Sequence, residues 1–234
     1  MAVSSWQRLT KQVLAFVFPP TCAMCKQVGA VICDSCMVTL PRLQLPLCPL
    51  CSRTLDKPMA ICWYCRKRPF PLKRIRAVFK YTSPLTELIY KLKYHNQFAL
   101  AEPLGQQMAA AWSQQEISPS IVVPVPLHAE RLRKRGYNQS MLLAKQLCSE
   151  WTLPLSTDAL RRVRNTRPQV ELDASERVQN VQAAFVADET AVADQHILLI
   201  DDVCTTGSTL TACTNALLAV GAASVSAYCL ARAN

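Results

Sequence analysis

Glycine is scarce in this chain, with five among 234 residues. Neither Gly-x-Gly-x-x-Gly nor Gly-x-x-x-x-Gly-Lys-[Ser/Thr] occurs, so two common glycine-rich phosphate loops are excluded. Charge is sparse as well, at 18% of residues, but it is lopsided and leaves a net +10. Long apolar runs are missing. The longest near the start, Val13 to Phe18, is far shorter than the about 20 residues that cross a bilayer as a helix, so no membrane span is expected. Arg8 and Lys11 precede that run as in an export signal, yet the run is too short and Pro19-Pro20-Thr21-Cys22 is a poor cleavage site. Trp6, Leu9, Val13, Phe16 and Val17 recur near helical spacing and predict a short amphipathic helix packed on the body. No internal repeat or low-complexity tract occurs. Half the residues are hydrophobic, ample for a core, and the length suits one large domain or two modest ones.

Cysteine, by contrast, is abundant, with twelve residues, eight of them in four Cys-x-x-Cys pairs: Cys22/Cys25, Cys33/Cys36, Cys48/Cys51 and Cys62/Cys65. Such a turn points two thiolates at one tetrahedral metal, and two turns complete a four-cysteine structural site, so four pairs predict two zinc ions. Secreted disulfides lack an export signal to support them, and iron–sulfur ligation suits these separations less well. The pairs combine either sequentially or interleaved; the seven residues between the first two pairs favour the sequential set. Residues 1–70 then form a metal-stapled module, too small to bury much core without its ions. Cys148, Cys204, Cys213 and Cys229 sit in apolar surroundings and read as small core hydrophobes.

From residue 71 the pattern changes to alternating strands and helices. Strands are predicted at Ile75 to Tyr81, Ile121 to Val125, Ala183 to Val186, His196 to Ile200 and Ser224 to Leu230. Helices are predicted at Leu85 to Tyr94, Ala99 to Gln115 and Asn138 to Trp151, with Asn138 as the cap of the last. Strands separated by helices imply an α/β fold with a parallel, doubly wound sheet over residues 71–234, whose ligand sits beyond the carboxyl ends of the strands.

One segment narrows the chemistry. Ile197 to Ile200 end in two carboxylates, Asp201 and Asp202, and then Val203, Cys204 and a turn of Thr205, Thr206, Gly207, Ser208 and Thr209 lead into an apolar helix-like run. A buried strand, a hydroxyl-rich turn and a helix N-terminus make a phosphate cradle. Carboxylates beside it would repel the anion, but they suit hydrogen bonding to neutral hydroxyls attached to it. The ligand implied is a ribose 5-phosphate. The segment resembles the 5-phosphoribosyl 1-pyrophosphate (PRPP) signature of type I phosphoribosyltransferases. The resemblance implies that Asp201 and Asp202, the candidate catalytic pair, hold the ribose 2′- and 3′-hydroxyls, while the turn from Val203 to Thr209 wraps the 5′-phosphate. PRPP also carries a pyrophosphate and its Mg²⁺, and departure of the pyrophosphate needs positive charge. Arginines on two loops, Arg131 to Arg135 and Arg161 to Arg167, are placed to supply it, with Arg135 and Arg167 as the named candidates.

The order of motifs extends the likeness. A Cys-rich start is followed by Tyr90-Lys91-Leu92-Lys93-Tyr94, then Pro124-Val125-Pro126 with Arg135-Gly136-Tyr137-Asn138-Gln139. Thr166-Arg167-Pro168-Gln169 comes next, then Glu176-Arg177 with Asn180, and finally the Asp201–Thr209 turn. From Pro19 to Ala231 this resembles the ComF/GntX family of bacterial proteins. The resemblance implies a zinc-finger module joined to a type I phosphoribosyltransferase domain in the cytoplasm. It also implies a role in natural competence or DNA utilisation, beside competence or DNA-processing proteins. From Arg53 to Lys93 eleven Lys/Arg face two acidic residues. Trp63 and Tyr64, with Arg66, Lys67, Arg68, Lys73 and Arg74, interleave rings and cations as single-stranded DNA binding requires. Two readings stay open: a phosphoribosyl transfer enzyme, in its alternative form one of nucleotide metabolism without DNA binding, and a DNA-handling adaptor whose pocket senses PRPP.

Overall fold

The structure is a computed structural model that describes residues 19–58, 61–67, 69–112, 117–164 and 184–233. The predicted amphipathic helix at Trp6 to Val17 lies outside the described residues. Two compact units make up the chain, Met1–Leu40 and Pro41–Asn234, so the divide runs between the first and second cysteine groups.

In the first unit a tight knuckle carries Cys22 and Cys25. Thr21 bridges Val28 in antiparallel fashion, and the Lys26 N–H returns to the Cys22 carbonyl at 3.0 Å with Lys26 in the left-handed region at φ 68°. Cys33 then caps the short helix α1 (Asp34–Met37) that carries Cys36. The second unit opens with the same device. Leu47 bridges Thr54, the Ser52 N–H returns to the Cys48 carbonyl at 2.9 Å, and Ser52 is left-handed at φ 55°. Its second pair flanks the start of helix α2 (Trp63–Lys67). A knuckle followed by a helix start, used twice, sets two thiols against two thiols.

The body of the second unit is a parallel sheet in the order β1-β6-β5-β2, with β1 at Ile75–Lys80, β2 at Ile121–Pro124, β5 at His196–Cys204 and β6 at Ser224–Arg232. The central strands β5 and β6 are buried almost throughout, and each carries an unalternating apolar run, Ile197 to Ile200 and Ala227 to Ala231. Helices α3 (Leu85–Tyr94) and α6 (Gln139–Trp151) fall where periodicity puts them, while α4 (Ala101–Ala110) is shorter than the helix expected over Ala99 to Gln115, following a 3-10 turn at Phe98–Leu100. Asn138 caps α6 by accepting from the Ser140 N–H at 3.0 Å, and its amide donates to the Val125 carbonyl at 3.0 Å, pinning the helix start to the end of β2. Helix α8 (Ser208–Ala219) buries Leu210 and Leu217 against Ile197, Leu199, Val225 and Ala227. The alternate residues of β5, Leu198 and Ile200, are equally buried and point the other way. The sheet is therefore covered on both faces, and each Leu or Ile sealed in it contributes roughly 1.5–3 kcal/mol.

Several elements depart from the sequence expectation. The cationic run at 131–135 is not a loop but helix α5 (Ala129–Arg135), with His128 accepting from the Glu130 N–H and left-handed Gly136 ending it. Three cations in its last turn favour the negative end of the helix dipole. The arginines at 161 and 162 are likewise not in a loop: they lie on β3 (Leu160–Arg162), which pairs antiparallel with β4 (Phe185–Ala187). The strand expected at Ala183 to Val186 thus joins a separate two-stranded ribbon rather than the parallel sheet. The short helix α7 (Glu189–Val192) links that ribbon to β5. Among the described residues no helix is long and apolar enough to cross a membrane.

Candidate functional site

Cys22, Cys25, Cys33 and Cys36 bring their sulfurs within 4.8 Å of one another, as do Cys48, Cys51, Cys62 and Cys65, which is the sequential pairing. The sulfur separations are 3.5 Å for Cys25–Cys33, 3.9 Å for Cys48–Cys65 and 3.6 Å for Cys51–Cys62. Four thiolates about 2.3 Å from a tetrahedral zinc have edges near 3.8 Å, so both groups could hold zinc. Burial opposes ionisation of Cys22 and Cys48, but backbone N–H groups aimed at each sulfur outweigh it and pull them down to about 6 and about 7. Cys36, facing Cys33, is pushed up to about 12. Each group thus holds a readily formed thiolate beside thiols that only a cation would fully ionise. The second group is built into the core with Leu55, Leu72 and Ile75, whereas Cys25 in the first is exposed.

Asp201 and Asp202 lie within β5, not after it, and both are buried, Asp202 to 2% exposure. Their oxygens already have donors. Ser140 Oγ donates to Asp201 Oδ1 at 2.9 Å, as does the Asp202 N–H, and Gln139 Nε2 donates to Asp202 Oδ1 at 2.9 Å. Lys93, from α3, forms an ion pair with Asp202 Oδ2. Burial pushes the Asp201 carboxyl up to about 8, and the charge of Asp202 adds to the rise, while Lys93 and Ser140 pull against it. Burial works against the Lys93 ammonium too, but Asp202 more than offsets it. Lys93 and Gln139 stand in the sequence motifs above but take no site role from them, and Ser140 is in none of them. A signal exists for Lys93: it stands four residues after buried Ile89, on the flank of the apolar stripe of α3.

Beyond the pair, the turn closes through Gly207, left-handed at φ 85°, onto the N-terminus of α8. Thr205, Thr206 and Ser208 are exposed, and the Thr206 and Ser208 hydroxyls lie 2.7 Å apart. Phe70 covers the turn from the linker after α2; a Cβ on Gly207 would stand 2.9 Å from its ring. Underneath, the fully buried Arg232 donates to the carbonyls of Cys204 (2.7 Å), Thr205 and Ala233 (3.0 Å), and through Nε to the Cys51 carbonyl at 2.9 Å. The turn and the second cysteine group are therefore joined from below by one guanidinium.

Of the basic candidates, Arg135 lies over the Tyr94 ring at 5.3 Å and bonds Gln139, one step from Asp202. Arg167 falls outside the described residues, as do Arg68 and the segments around Arg177 and Asn180. Trp63 and Tyr64 meet edge to face at 5.2 Å, with Lys67 over the Trp63 ring at 4.9 Å and Arg53 over Tyr64 at 3.8 Å. Arg66 is exposed on the same helix, α2. Lys73 and Arg74 are not in that groove; they line another at the amino ends of β5 and β6, with His196 and Ser224. Cys204, Cys213 and Cys229 are buried and Cys148 is half-buried.

The phosphoribosyl transferase domain family matches residues 132–234. The chain is 34% identical over 223 residues to DNA utilization protein YhgH of Salmonella typhi, covering 92% of this chain and 97% of that one. It is 31% identical to competence protein F of Haemophilus influenzae, over 86% of this chain and 90% of the relative. Competence protein ComFC of Bacillus subtilis is 30% identical, over 86% and 84% of the two chains.

Proposed function

The chain belongs to the ComF family, with a type I phosphoribosyltransferase fold and a cysteine-rich zinc module, and from that premise we propose that it binds PRPP with Mg²⁺. The observation that carries this reading is the run along β5 into α8: a buried acidic pair, then exposed hydroxyls on Thr205, Thr206 and Ser208 at a helix N-terminus. The phosphate meets the backbone N–H groups and hydroxyls of that turn. The ribose hydroxyls take the places on Asp201 and Asp202 now filled by Ser140 and Gln139. Mg²⁺ neutralises the pyrophosphate of PRPP; on the protein side Arg135 and Arg167 supply further positive charge there. The proposal puts this activity in the cytoplasm, beside competence or DNA-processing proteins, where imported single strands are handled.

Single-stranded DNA is proposed to follow the α2 groove. Trp63, 55% exposed, and Tyr64 stack on bases, and Arg66 and Lys67 track phosphates. Arg68, next in sequence to Lys67, is proposed to join that track, whereas Lys73 and Arg74 line the separate groove at the amino ends of β5 and β6 and stand outside it. Titration calorimetry with PRPP and Mg²⁺ tests the pocket. Thr206→Ala with Ser208→Ala, both exposed, is expected to weaken binding about tenfold without lowering Tm, at roughly 1–1.5 kcal/mol for the hydrogen bonds removed. Absence of PRPP binding by the zinc-loaded chain would sink the reading. Pyrophosphate release with candidate acceptors separates a transfer enzyme from a sensor.

A further inference from the structure

The Tyr90-Lys91-Leu92-Lys93-Tyr94 segment has one use in the site above, through Lys93, and its two tyrosines have none. They lie on the outer side of α3, whose inner side is Leu85, Leu88, Ile89 and Leu92. Tyr90 is 56% exposed and Tyr94 63%, and Phe98, just past the helix, is 61% exposed. The rings fall in two neighbouring sets at this end of α3: Tyr90 meets Tyr94 at 4.9 Å and His95 at 5.2 Å, and Phe98 meets Tyr137 at 6.1 Å. Tyr137 bonds the Leu92 carbonyl, which ties the start of α6 to the end of α3. Arg135 lies over Tyr94, and Arg133 and Lys134, exposed in the same last turn of α5, add positive charge nearby on other faces of that helix. Glu87, bound to Ser83 at 3.0 Å, is the acidic residue of α3 and stands at the rim of the groove beside Tyr90 and His95.

We propose that this surface is a second binding site for single-stranded nucleic acid, distinct from the α2 groove and adjacent to the acidic pair. Open rings in series, set beside cations, suit successive unpaired bases on a polyanionic backbone. A free nucleobase needs one enclosed ring contact and has no use for Arg133 and Lys134. Exposed rings add nothing to the core, so the fold does not account for them. The path from Tyr94 through Arg135 and Gln139 to Asp202 brings a strand on this surface alongside the carboxylates.

The test uses the full zinc-loaded chain, a fluorescein-labelled oligothymidylate for anisotropy, and the same strand carrying 5-iodouracil for photocrosslinking and peptide mapping. Crosslinks are expected in the peptide holding Tyr90 to Phe98, and they should persist in Trp63→Ala. Tyr90→Ala with Phe98→Ala should weaken binding at least about tenfold with the salt slope unchanged, since stacking releases no counterions. Arg133→Glu with Lys134→Glu should instead flatten the log–log slope by about 0.7 for each phosphate that is no longer neutralised. All of these side chains are at the surface, and unchanged Tm and PRPP affinity in the aromatic variant keep this proposal separate from the pocket. Crosslinks confined to Trp63 and Tyr64, or full affinity in the aromatic variant, would overturn it. No strand binding at low salt would overturn it as well and leave the rings to a protein partner.

Discussion

Arg232 Nε donates to the backbone carbonyl of Cys51 at 2.9 Å, while Nη1 of the same side chain holds the carbonyls of Cys204 and Thr205. A cation sealed at 0% exposure is tolerated because carbonyl dipoles surround it. Removing it takes this donor from the Cys51 and Thr205 carbonyls, while the Cys204 carbonyl keeps the Ala233 N–H at 3.0 Å. Arg232→Met should therefore destabilise the chain by about 3 kcal/mol, the cost of losing charge-assisted bonds and leaving acceptors unpaired. In a unit of this size that lowers Tm by roughly 6–12 °C. Arg232→Lys should recover little, because an ammonium cannot reproduce the planar fork. Calorimetric unfolding at fixed zinc reads both, and a Tm within about 1 °C of wild type, under the shift about 1 kcal/mol produces, would show that the tie contributes nothing.

The two cysteine groups should respond differently to mutation. Cys25 is exposed within the small first unit, and Cys51 lies in the core of the second with its carbonyl held by Arg232. Metal analysis should give about two zinc ions per chain, and either Cys25→Ser or Cys51→Ser should reduce that to about one. Only Cys51→Ser should lower the Tm of the main unit and reduce hydrogen-exchange protection at Thr205 to Gly207. Equal effects of the two variants on that protection would argue against a link from the metal group to the turn.

Much of this architecture is legible because single residue types enforce it. Four Cys-x-x-Cys turns leave few alternatives, and the sequential pairing follows from short connections. Unalternating apolar runs, Ile197 to Ile200 and Ala227 to Ala231, mark β5 and β6, as suits strands covered on both faces. What escapes reading is long-range. Nothing local announces that Lys93, on a helix more than a hundred residues earlier, faces Asp202, or that Arg232 reaches Cys51. Cationic text hides α5, although the capping His128 and the terminating Gly136 are both present. The ribbon of β3 and β4 escapes because three-residue strands carry no period that distinguishes parallel from antiparallel pairing.

The acidic pair makes stability depend on pH with a definite sign. Folded Asp201 keeps its proton up to about pH 8, against the ordinary 3.8. Between those values the folded state binds the extra proton, so stability falls as pH rises through the window. Asp201→Asn cannot ionise. Its Tm relative to wild type should therefore climb between pH 6.5 and pH 9, by several degrees. Parallel Tm profiles for the two proteins would mean that Asp201 is already ionised in the folded chain.

Gly207 carries two separate constraints, and a pair of variants resolves them. Its φ of 85° strains any residue with a Cβ, and such a Cβ would meet the Phe70 ring at 2.9 Å. Left-handed backbone costs a residue such as Ala roughly 1 kcal/mol, and the clash forces either the ring or the turn to shift. Gly207→Ala should lower Tm and weaken PRPP binding at least about tenfold, because the displaced turn is the one proposed to hold the phosphate. Adding Phe70→Ala removes the ring and should restore part of the affinity, leaving the backbone cost in place. If the double variant binds no better than Gly207→Ala alone, conformation is the whole cause. Phe70 then merely rests on the turn. Recovery in the double variant would instead make Phe70, on the linker leading out of the second cysteine group, the element that fixes the height of the phosphate turn.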